Sequence, residues 1–452
     1  MPAHRPSTLS DRPLPRLRRA GARALGLGAL HLLLHFALHF TLGGAPAQAA
    51  DWLEIHGDLP ADAPTTPQLG GFLQIVGEGI VGGERAPALP GALAEQEGVL
   101  PTFNRVGPGD ATYGASVRRA RFFFRGAVPK TDQRVSYALS AEFGDNQLTR
   151  LEPVVLTDAA VNVMIFPALQ LRAGQFKLPT AEEALESNPL AARFINNSAG
   201  LTALLLENPV LDGKYAGGAS GLRDVGAQLW GRWDGAHQGL SAALMVSNGR
   251  IGGLDVDNEK DVTGRIHATL WAEGDPRDPH REALEVFGWW LEGSREGLGG
   301  PEAPRMDRRR RGAGISFATG GLQARSELID AVGAIDAGTV SPFPGQPVLL
   351  LADGQGLASS TFAHYTRPIG GEGLSLGGGL RYDRYARRTD RPTDERLAQT
   401  WTGDLTLGLG PRAHLMLDYE RRSLRAPAGP AAATALLDTL GDRLSAQLVI
   451  VL

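Results

Sequence analysis

The chain has 452 residues, with 59 glycines, 30 prolines and no cysteine, and 42% of its residues are hydrophobic. This hydrophobic fraction excludes an intrinsically disordered chain. The lack of cysteine excludes a disulfide scaffold, a thiolate metal site and cysteine catalysis. The many glycines follow no collagen period and are typical of a sheet with many tight turns.

The N-terminal residues 1–49 have the layout of a secretory signal peptide. Six arginines and one acid lie in Met1–Arg23, a largely apolar run follows from Ala24 to Leu42, and Ala47-Gln48-Ala49 fits an A-x-A cleavage site. We therefore expect an exported protein. An uncleaved transmembrane anchor is the alternative interpretation.

The net charge of the mature chain argues against a nucleic-acid partner. Without residues 1–49 the chain keeps 39 basic and 48 acidic groups, a net charge of −9. We therefore expect no nucleic-acid partner, because a basic footprint is absent. The sequence also predicts no cofactor and no metal site. The acidic segment 255–261 could hold Ca²⁺ through carboxylate oxygens, but we interpret it as a solvated loop.

The rest of the chain alternates with a period of two, as strands do. No stretch after residue 50 has the about 18 consecutive apolar residues that a membrane helix needs. For example, Val135, Tyr137, Leu139, Ala141 and Phe143 alternate with a set that includes Arg134, Ser136, Ser140 and Glu142. We predict sixteen strands, at 69–80, 113–128, 133–144, 157–166, 168–177, 223–235, 239–248, 260–272, 282–293, 309–319, 321–331, 357–369, 373–387, 397–410, 412–425 and 441–452.

Strands with one apolar and one polar face fit either a soluble sandwich or an outer-membrane barrel. Charges recur on the polar face in mid-strand. Aromatic residues gather near strand ends, where the interface girdles of a membrane barrel lie: Phe122–Phe124, Trp289-Trp290, Tyr382, Tyr385, Trp401 and Tyr419. Long connections follow the odd-numbered strands, and mostly short ones follow the even-numbered strands. We therefore predict an all-β fold over 68–452, a transmembrane antiparallel β-barrel of about 16 strands with long outer loops and short periplasmic turns. Residues 50–67 form a short N-terminal segment in this scheme.

Seven short motifs follow one another along the chain: Arg118-Arg119-Ala120-Arg121, Gly174–Pro179, Glu182–Ser187, Arg193–Ile195, Arg223–Leu229, Ser247–Gly249 and Lys260–Arg265. In this order and spacing they resemble the phosphate-selective porin O and P family, most clearly from 115 to 270. The resemblance implies a sixteen-stranded, trimeric outer-membrane channel for small anions such as phosphate. It also implies a loop that folds into the barrel and narrows the pore, which we place after the fifth strand.

Strand parity predicts a set of arginines that face the lumen. A ring of fixed positive charge concentrates anions, and guanidinium groups bind phosphate oxygens in a bidentate way. Alternatively, these arginines pair with the lumen acids Glu142, Asp158, Asp261, Glu327 and Asp383 and only stiffen the wall. The candidate pore-lining arginines are Arg119, Arg121, Arg125, Arg172, Arg232, Arg265, Arg325 and Arg381.

The presumed constriction loop, 178–222, carries charges of both signs. Lys177, Arg193 and Lys214 flank it or lie within it and could form an anion filter. The same loop contains four acids, so a mixed and weakly selective constriction is the alternative. The acids are Glu182, Glu183, Glu186 and Glu207.

Two further signals have simpler interpretations. Gly373-Leu374-Ser375-Leu376-Gly377 fits the G-x-S-x-G nucleophile pattern, but it lies in a strand pattern with no helix after it. The run Arg308–Arg311 could bind lipopolysaccharide phosphates or recruit anions, and a solvated strand edge is the preferred interpretation.

Together these patterns predict a porin of a Gram-negative outer membrane that passes small solutes by diffusion, with anions such as phosphate as the leading class. Its expected neighbours are outer-membrane lipid, lipopolysaccharide and two further copies in a homotrimer. A general or cation-preferring porin remains open, given the net charge of −9. A barrel with a plugged lumen and a structural role, and a hydrolase that uses Ser375, are further alternatives.

Overall fold

The computed structural model describes residues 67–83, 113–146, 148–149, 153–186, 189–206, 210–211, 214–215, 222–249, 259–274, 281–295, 305–336, 350–370, 373–429, 435 and 437–452. The predicted signal peptide and almost all of the segment 50–67 lie outside these residues. Within them, no helix is both long enough and apolar enough to cross a membrane.

Sixteen strands form one closed antiparallel barrel, as the alternation predicts. Two very short strands, β6 (Val210–Leu211) and β7 (Lys214–Tyr215), pair separately. The barrel strands are β1 (Gln68–Val81), β2 (Tyr113–Ala127), β3 (Val135–Phe143), β4 (Val154–Phe166), β5 (Leu169–Lys177), β8 (Arg223–Asp234), β9 (Gly239–Ser247), β10 (Asp261–Glu273), β11 (Glu282–Arg295), β12 (Met306–Thr319), β13 (Leu322–Asp336), β14 (Leu350–Gly370), β15 (Leu374–Arg387), β16 (Arg396–Leu409), β17 (Ala413–Arg425) and β18 (Asp442–Val451).

The first and last strands close the barrel. Phe72 lies opposite Val451, and the antiparallel ladder continues to the pair Val81 and Asp442. Each other barrel strand pairs with its neighbour along the chain, except that β5 pairs with β8 across the excursion that contains β6 and β7. Closure matters because an open sheet edge would leave backbone groups without partners in lipid.

The outer face of the barrel carries a belt of apolar side chains. Leu380 is 62% exposed, Leu405 59% and Leu417 44%, while the inward neighbours Arg381, Asp404 and Asp418 are buried. A soluble sandwich would bury this apolar face against a second sheet. The observed pattern, with apolar residues outside and polar residues inside, is that of a barrel in a bilayer.

Not all of the aromatic residues predicted near strand ends face outward. Trp401 and Tyr419 are about half exposed on the outer face, as expected for an interfacial girdle. Trp289 and Tyr385, by contrast, are buried on the lumen side. Parity along β11 and β15 places them there, so the assignment of these two side chains to the girdle was wrong.

The two rims differ as predicted. Short turns such as Gly320-Gly321 join even-numbered to odd-numbered barrel strands, and the strand ends that the long connections join lie at the other rim. The predicted strand bounds are accurate to a few residues except at one hairpin. There β13 and β14 extend their pairing to Asp336 and Leu350, five or more residues beyond the predicted ends.

Candidate functional site

The constriction loop leaves the barrel wall after β5. Gly174 near the end of β5 has a φ of +129°, and a Cβ there would lie 2.1 Å from the carbonyl oxygen of Ala159. Only glycine tolerates that close approach. After Lys177 the chain turns inward and forms two short helices, α1 (Glu182–Leu185) and α2 (Ala199–Leu204). The predicted position of the loop, after the fifth strand, is therefore confirmed.

The loop crosses the lumen and binds the opposite wall. The backbone N–H of Ile195 donates to Asp418 Oδ2 at 2.7 Å, and the Asn196 amide donates to Glu420 Oε1 at 2.8 Å. Asp418 and Glu420 belong to β17, which lies far from β5 around the barrel. Helix α2 packs on β13, β14 and β15. The loop thus spans the interior instead of covering the rim.

An apolar cluster fixes α2 against the inner wall. Leu201 and Leu204 are buried with Ile329, Ala358 and Tyr385 in one cluster inside the barrel. Burying a leucine side chain contributes roughly 1.5–3 kcal/mol. The entropic cost of ordering the loop is therefore offset by burial of apolar surface on the lumen side of the sheet. The same effect stabilises the core of a soluble protein.

Wall arginines hold the loop by its backbone and its acids. Arg265 donates to the Thr180 carbonyl and to Glu182, and its guanidinium lies 4.7 Å from the centre of the Phe287 ring. Arg381 donates to the Asn196 carbonyl at 2.8 Å. These two members of the predicted pore-lining set therefore act as anchors in this structure.

Arg325 binds the acidic half of the loop. Its Nη1 lies 3.4 Å from Glu186 Oε1, and its guanidinium stacks at 5.0 Å over the ring of Phe362. Burial raises the pKa of Glu186, and the attraction of Arg325 opposes that shift. The carboxyl of Glu186 therefore takes up a proton more readily than an exposed glutamate does as the pH falls.

Two predicted arginines on β2 share one buried carboxylate. Arg119 Nε lies 2.9 Å from Glu142 Oε1, and Arg121 Nε lies 2.6 Å from Glu142 Oε2. The side chain of Glu142 is fully buried, while that of Arg119 keeps 21% exposure. One acid between two guanidiniums leaves an excess of positive charge at this point of the wall.

The remaining predicted arginines also lie on the lumen side. Arg125 donates to the Gln68 side chain at 3.1 Å, and the Arg172 guanidinium lies 5.5 Å from the ring centre of Phe176. Arg232 pairs with Asp234 at 2.6 Å near the short-turn rim. The eight arginines are thus spread over six strands and several local clusters, and they do not form one continuous column.

The three predicted constriction cations have different environments. Lys177 is the last residue of β5, and its ammonium donates to the carbonyls of Ala184 at 2.6 Å and Glu186 at 3.0 Å. Arg193 donates to Gln323 at 2.6 Å, and burial lowers the pKa of Arg193. Lys214 lies in β7, and its side chain is outside the described residues.

The predicted set omits several lumen arginines, and Arg118 and Arg310 are two of them that contact the loop. A β-bulge between Gln74 and Ile75 shifts the register against β2, so Arg118 faces inward beside Arg119 and donates to the Ile195 carbonyl. Arg310 is fully buried and donates to the Leu204 carbonyl at 3.0 Å, at the end of α2. Simple parity cannot find Arg118, whereas it would have found Arg310.

The solvated-edge interpretation of the run Arg308–Arg311 was therefore wrong for half of its members. Arg308 is buried and pairs with Asp261 at 3.1 Å. Arg308 and Arg310 point inward because alternate residues of β12 face the lumen. Arg309 and Arg311 take the outer parity, and Arg311 lies 3.4 Å from Glu292.

The other chemical motifs do not form a site in the described residues. Ser375 lies within β15 and not at a strand-to-helix turn. Asp255 and Asp257 of the acidic segment are outside the described residues, and Asp261 is bound to Arg308. Among the described residues, no group of three or more His, Asp or Glu side chains is arranged to hold a metal ion.

Comparisons with known proteins agree with this geometry. The sequence model of the family "Phosphate-selective porin O and P" matches residues 101–193. That match spans β2 to β5 and the first part of the constriction loop, so it confirms the resemblance for the first three motifs. Among curated proteins, no significant match was found.

The fold is similar to those of solved porin structures. Salmonella typhi OmpF in complex with daunomycin has 10% identity and a TM-score of 0.51, over 85% of this chain and 97% of that one. Pseudomonas putida OprB at high pH has 9% identity and a TM-score of 0.50, over 86% and 94%. An anion-selective porin from Comamonas acidovorans has 13% identity and a TM-score of 0.49, over 85% and 98%. At 9–10% identity, the likeness to OmpF and OprB establishes the barrel fold alone.

Proposed function

We propose that this protein is an outer-membrane channel through which small solutes diffuse, with a preference for anions such as phosphate. The closed barrel with its apolar belt and inward loop supports the channel. The proposal places the long-loop rim outside the cell and the short turns in the periplasm. It includes removal of residues 1–49 on export and the homotrimer that the family resemblance implies.

One observation carries the anion preference. Strands β2 to β5 contain six basic residues and two acidic ones, a net charge of +4 on one arc of the wall. The members of this set are Arg118, Arg119, Arg121, Arg125, Arg172, Lys177, Glu142 and Asp158. This excess follows from the residues themselves, whatever each one contacts.

The exposed part of this arc is suited to oxyanions. Arg119 keeps 21% side-chain exposure, and Arg125 is partly buried towards the short-turn end of β2. A fixed charge in a narrow aqueous passage raises the local concentration of anions, and a guanidinium donates two parallel hydrogen bonds to phosphate. These two arginines are the expected contacts of a passing anion.

Two alternatives rest on particular observations. The net charge of −9 on the mature chain favours a general or cation-preferring porin. The apolar cluster around α2 fills part of the interior and favours a plugged barrel with a structural role. Conductance separates the plugged barrel from the two channels, and ion selectivity separates the channels from each other.

The test is the reversal potential of the purified protein in a planar bilayer under a KCl gradient, repeated with added phosphate. The double variant Arg119→Gln and Arg125→Gln keeps Arg121 on Glu142, so we expect it to fold. A unit charge about 4 Å away in water contributes about 1 kcal/mol, so we expect the anion-to-cation permeability ratio to fall roughly fivefold for each arginine removed.

Arg367→Gln is the matched control, because Arg367 is exposed on β14 near the short-turn rim. It should leave the ratio unchanged. Equal selectivity in the double variant and the wild type would reject the role of the β2 arginines. No conductance in the wild type would reject the channel itself.

A further inference from the structure

Three arginines on the outer face of the barrel differ from the lumen arginines described above. Arg384 lies on β15, and Arg421 and Arg425 lie on β17. Strand β16 runs between them and contributes no charged residue to this face. Within the described part of the chain, no hydrogen bond, ion pair or ring contact engages their guanidiniums. We call Arg384, Arg421 and Arg425 the outer arginine patch.

The register of the strands brings the three residues onto one surface. Arg384 lies opposite Gln399, which lies opposite Ser423, the residue midway between Arg421 and Arg425. Neighbouring strands are about 4.8 Å apart, and alternate residues of a strand are about 6.7 Å apart. The three Cα atoms therefore form a triangle with sides of roughly 12 Å.

Arg421 lies level with the aromatic girdle, and Arg384 and Arg425 lie beyond it on the long-loop side. Trp401 is opposite both Tyr382 and Arg421, and Leu380 and Leu405 continue the same outer face towards the short-turn rim. Along the strands the surface thus changes from apolar to aromatic to cationic. That is the order of acyl chain, interface and headgroup in one leaflet of a membrane.

No carboxylate lies on the outer face of these three strands, all of whose residues are described. Their four acids, Asp383, Asp404, Asp418 and Glu420, are buried on the lumen side. The cations therefore meet no counter-charge from their own strands. On the neighbouring strand β18, Asp442 accepts from the Tyr419 hydroxyl and from the backbone N–H of Arg422, the residue after Arg421. One carboxylate beside three guanidiniums leaves an excess of positive charge at the depth of lipid headgroups.

We propose that the outer arginine patch binds the phosphates of lipopolysaccharide, with the acyl chains lying on the leucines below the girdle. The inference rests on the outer-membrane location in the proposed function, because only that location supplies a phosphorylated lipid to the long-loop rim. Contact with a second copy of this chain is the rival occupant of the patch, and the oligomeric mass of the variants tests it.

The test is a titration of the detergent-folded protein with lipid A that carries two phosphates, with bound lipid counted by native mass spectrometry. The variant is Arg384→Gln, Arg421→Gln and Arg425→Gln together. A basic residue near an anionic lipid surface contributes about 1 kcal/mol, so we expect a loss of affinity of roughly fivefold per arginine and about 100-fold in the triple variant.

Three controls accompany the titration. Arg367→Gln, at the opposite end of the barrel, should bind lipid A like the wild type. Replacement of all three patch arginines by lysine should keep most of the affinity, which separates charge from folding. Lipid A without phosphates should bind the wild type as weakly as it binds the glutamine variant.

Several results would overturn the inference. Undiminished lipid A binding by the glutamine variant would reject the patch. Displacement of lipid A by millimolar inorganic phosphate would indicate a site for free phosphate instead. A change in oligomeric mass in the glutamine variant would make the patch an interface between copies.

Conductance of the glutamine variant in a bilayer free of lipopolysaccharide separates this inference from the proposed function. The patch faces outward, so the variant should conduct like the wild type. If the wild type binds lipid A but does not conduct, the lipid site is supported and the channel is rejected. If it conducts but does not bind lipid A, the channel is supported and the lipid site is rejected.

Discussion

Replacement of Arg265 by methionine should release the constriction loop without unfolding the barrel. Arg265 is fully buried and joins the Thr180 carbonyl, the Glu182 carboxylate and the Phe287 ring. The hydrogen bond to a charged group contributes about 1.5–3 kcal/mol and the one to a carbonyl about 1 kcal/mol. The stacking on Phe287 adds roughly 0.5–2 kcal/mol.

The net cost should be near the lower end of the summed range. Glu182 keeps 22% side-chain exposure, so water can solvate it once Arg265 is gone. We therefore expect a loss of about 3 kcal/mol, which corresponds to roughly a 100-fold rise in the population with a detached loop. The ladders between β9, β10 and β11 are untouched, so the barrel itself should stay folded.

Hydrogen exchange followed by mass spectrometry measures this opening directly. Backbone amides of the loop, such as Leu205, which donates to the Leu201 carbonyl at 3.0 Å, should exchange about 100-fold faster, and amides of β10 should not change. Arg232→Met is the control, since Arg232 pairs with Asp234 near the rim. Loop exchange within twofold of the wild type would refute the anchoring role of Arg265.

Two further predictions concern the same loop. Because burial raises the pKa of Glu186, its carboxyl should take up a proton at a higher pH than an ordinary glutamate does. Protonation removes one negative charge from the lumen, so anion preference should increase in one step as the pH falls. Glu186→Gln should remove this step from reversal potentials measured between about pH 7 and 4. If the pH-dependent step persists in Glu186→Gln, a different titrating group causes it. A Cβ at Gly200 would lie 2.3 Å from Ala358 Cβ, so Gly200→Leu should destabilise the docking of α2 by about 1–3 kcal/mol. Faster chymotryptic cleavage of the loop would show this, and unchanged cleavage would contradict it.

The strands and their faces could be predicted because their cause is local. Successive side chains of a strand point to opposite faces, so the alternation around Arg121 and Arg125 was enough to place both in the lumen. The closed order from β1 to β18 followed from the even strand count and from the alternation of long and short connections.

The roles of the lumen charges could not be predicted, because they depend on contacts far apart in the chain. Parity places Arg119 and Arg265 alike on the inner face, yet one shares Glu142 with its neighbour and the other holds the loop at Thr180. Arg118 faces inward only because a bulge opposite β1 breaks the alternation.

The sequence by itself determined the barrel, its two faces and its two rims, since each follows from a short repeating pattern, and the family resemblance supplied the position of the inward loop. The tertiary structure alone decided which arginines bind the loop, which share a carboxylate and which have no partner on the outer face among the described residues. The reason is that a charge acquires its role from the groups within a few ångströms of it. In a barrel those groups come from other strands, and for Arg310 the partner carbonyl of Leu204 lies 106 residues away.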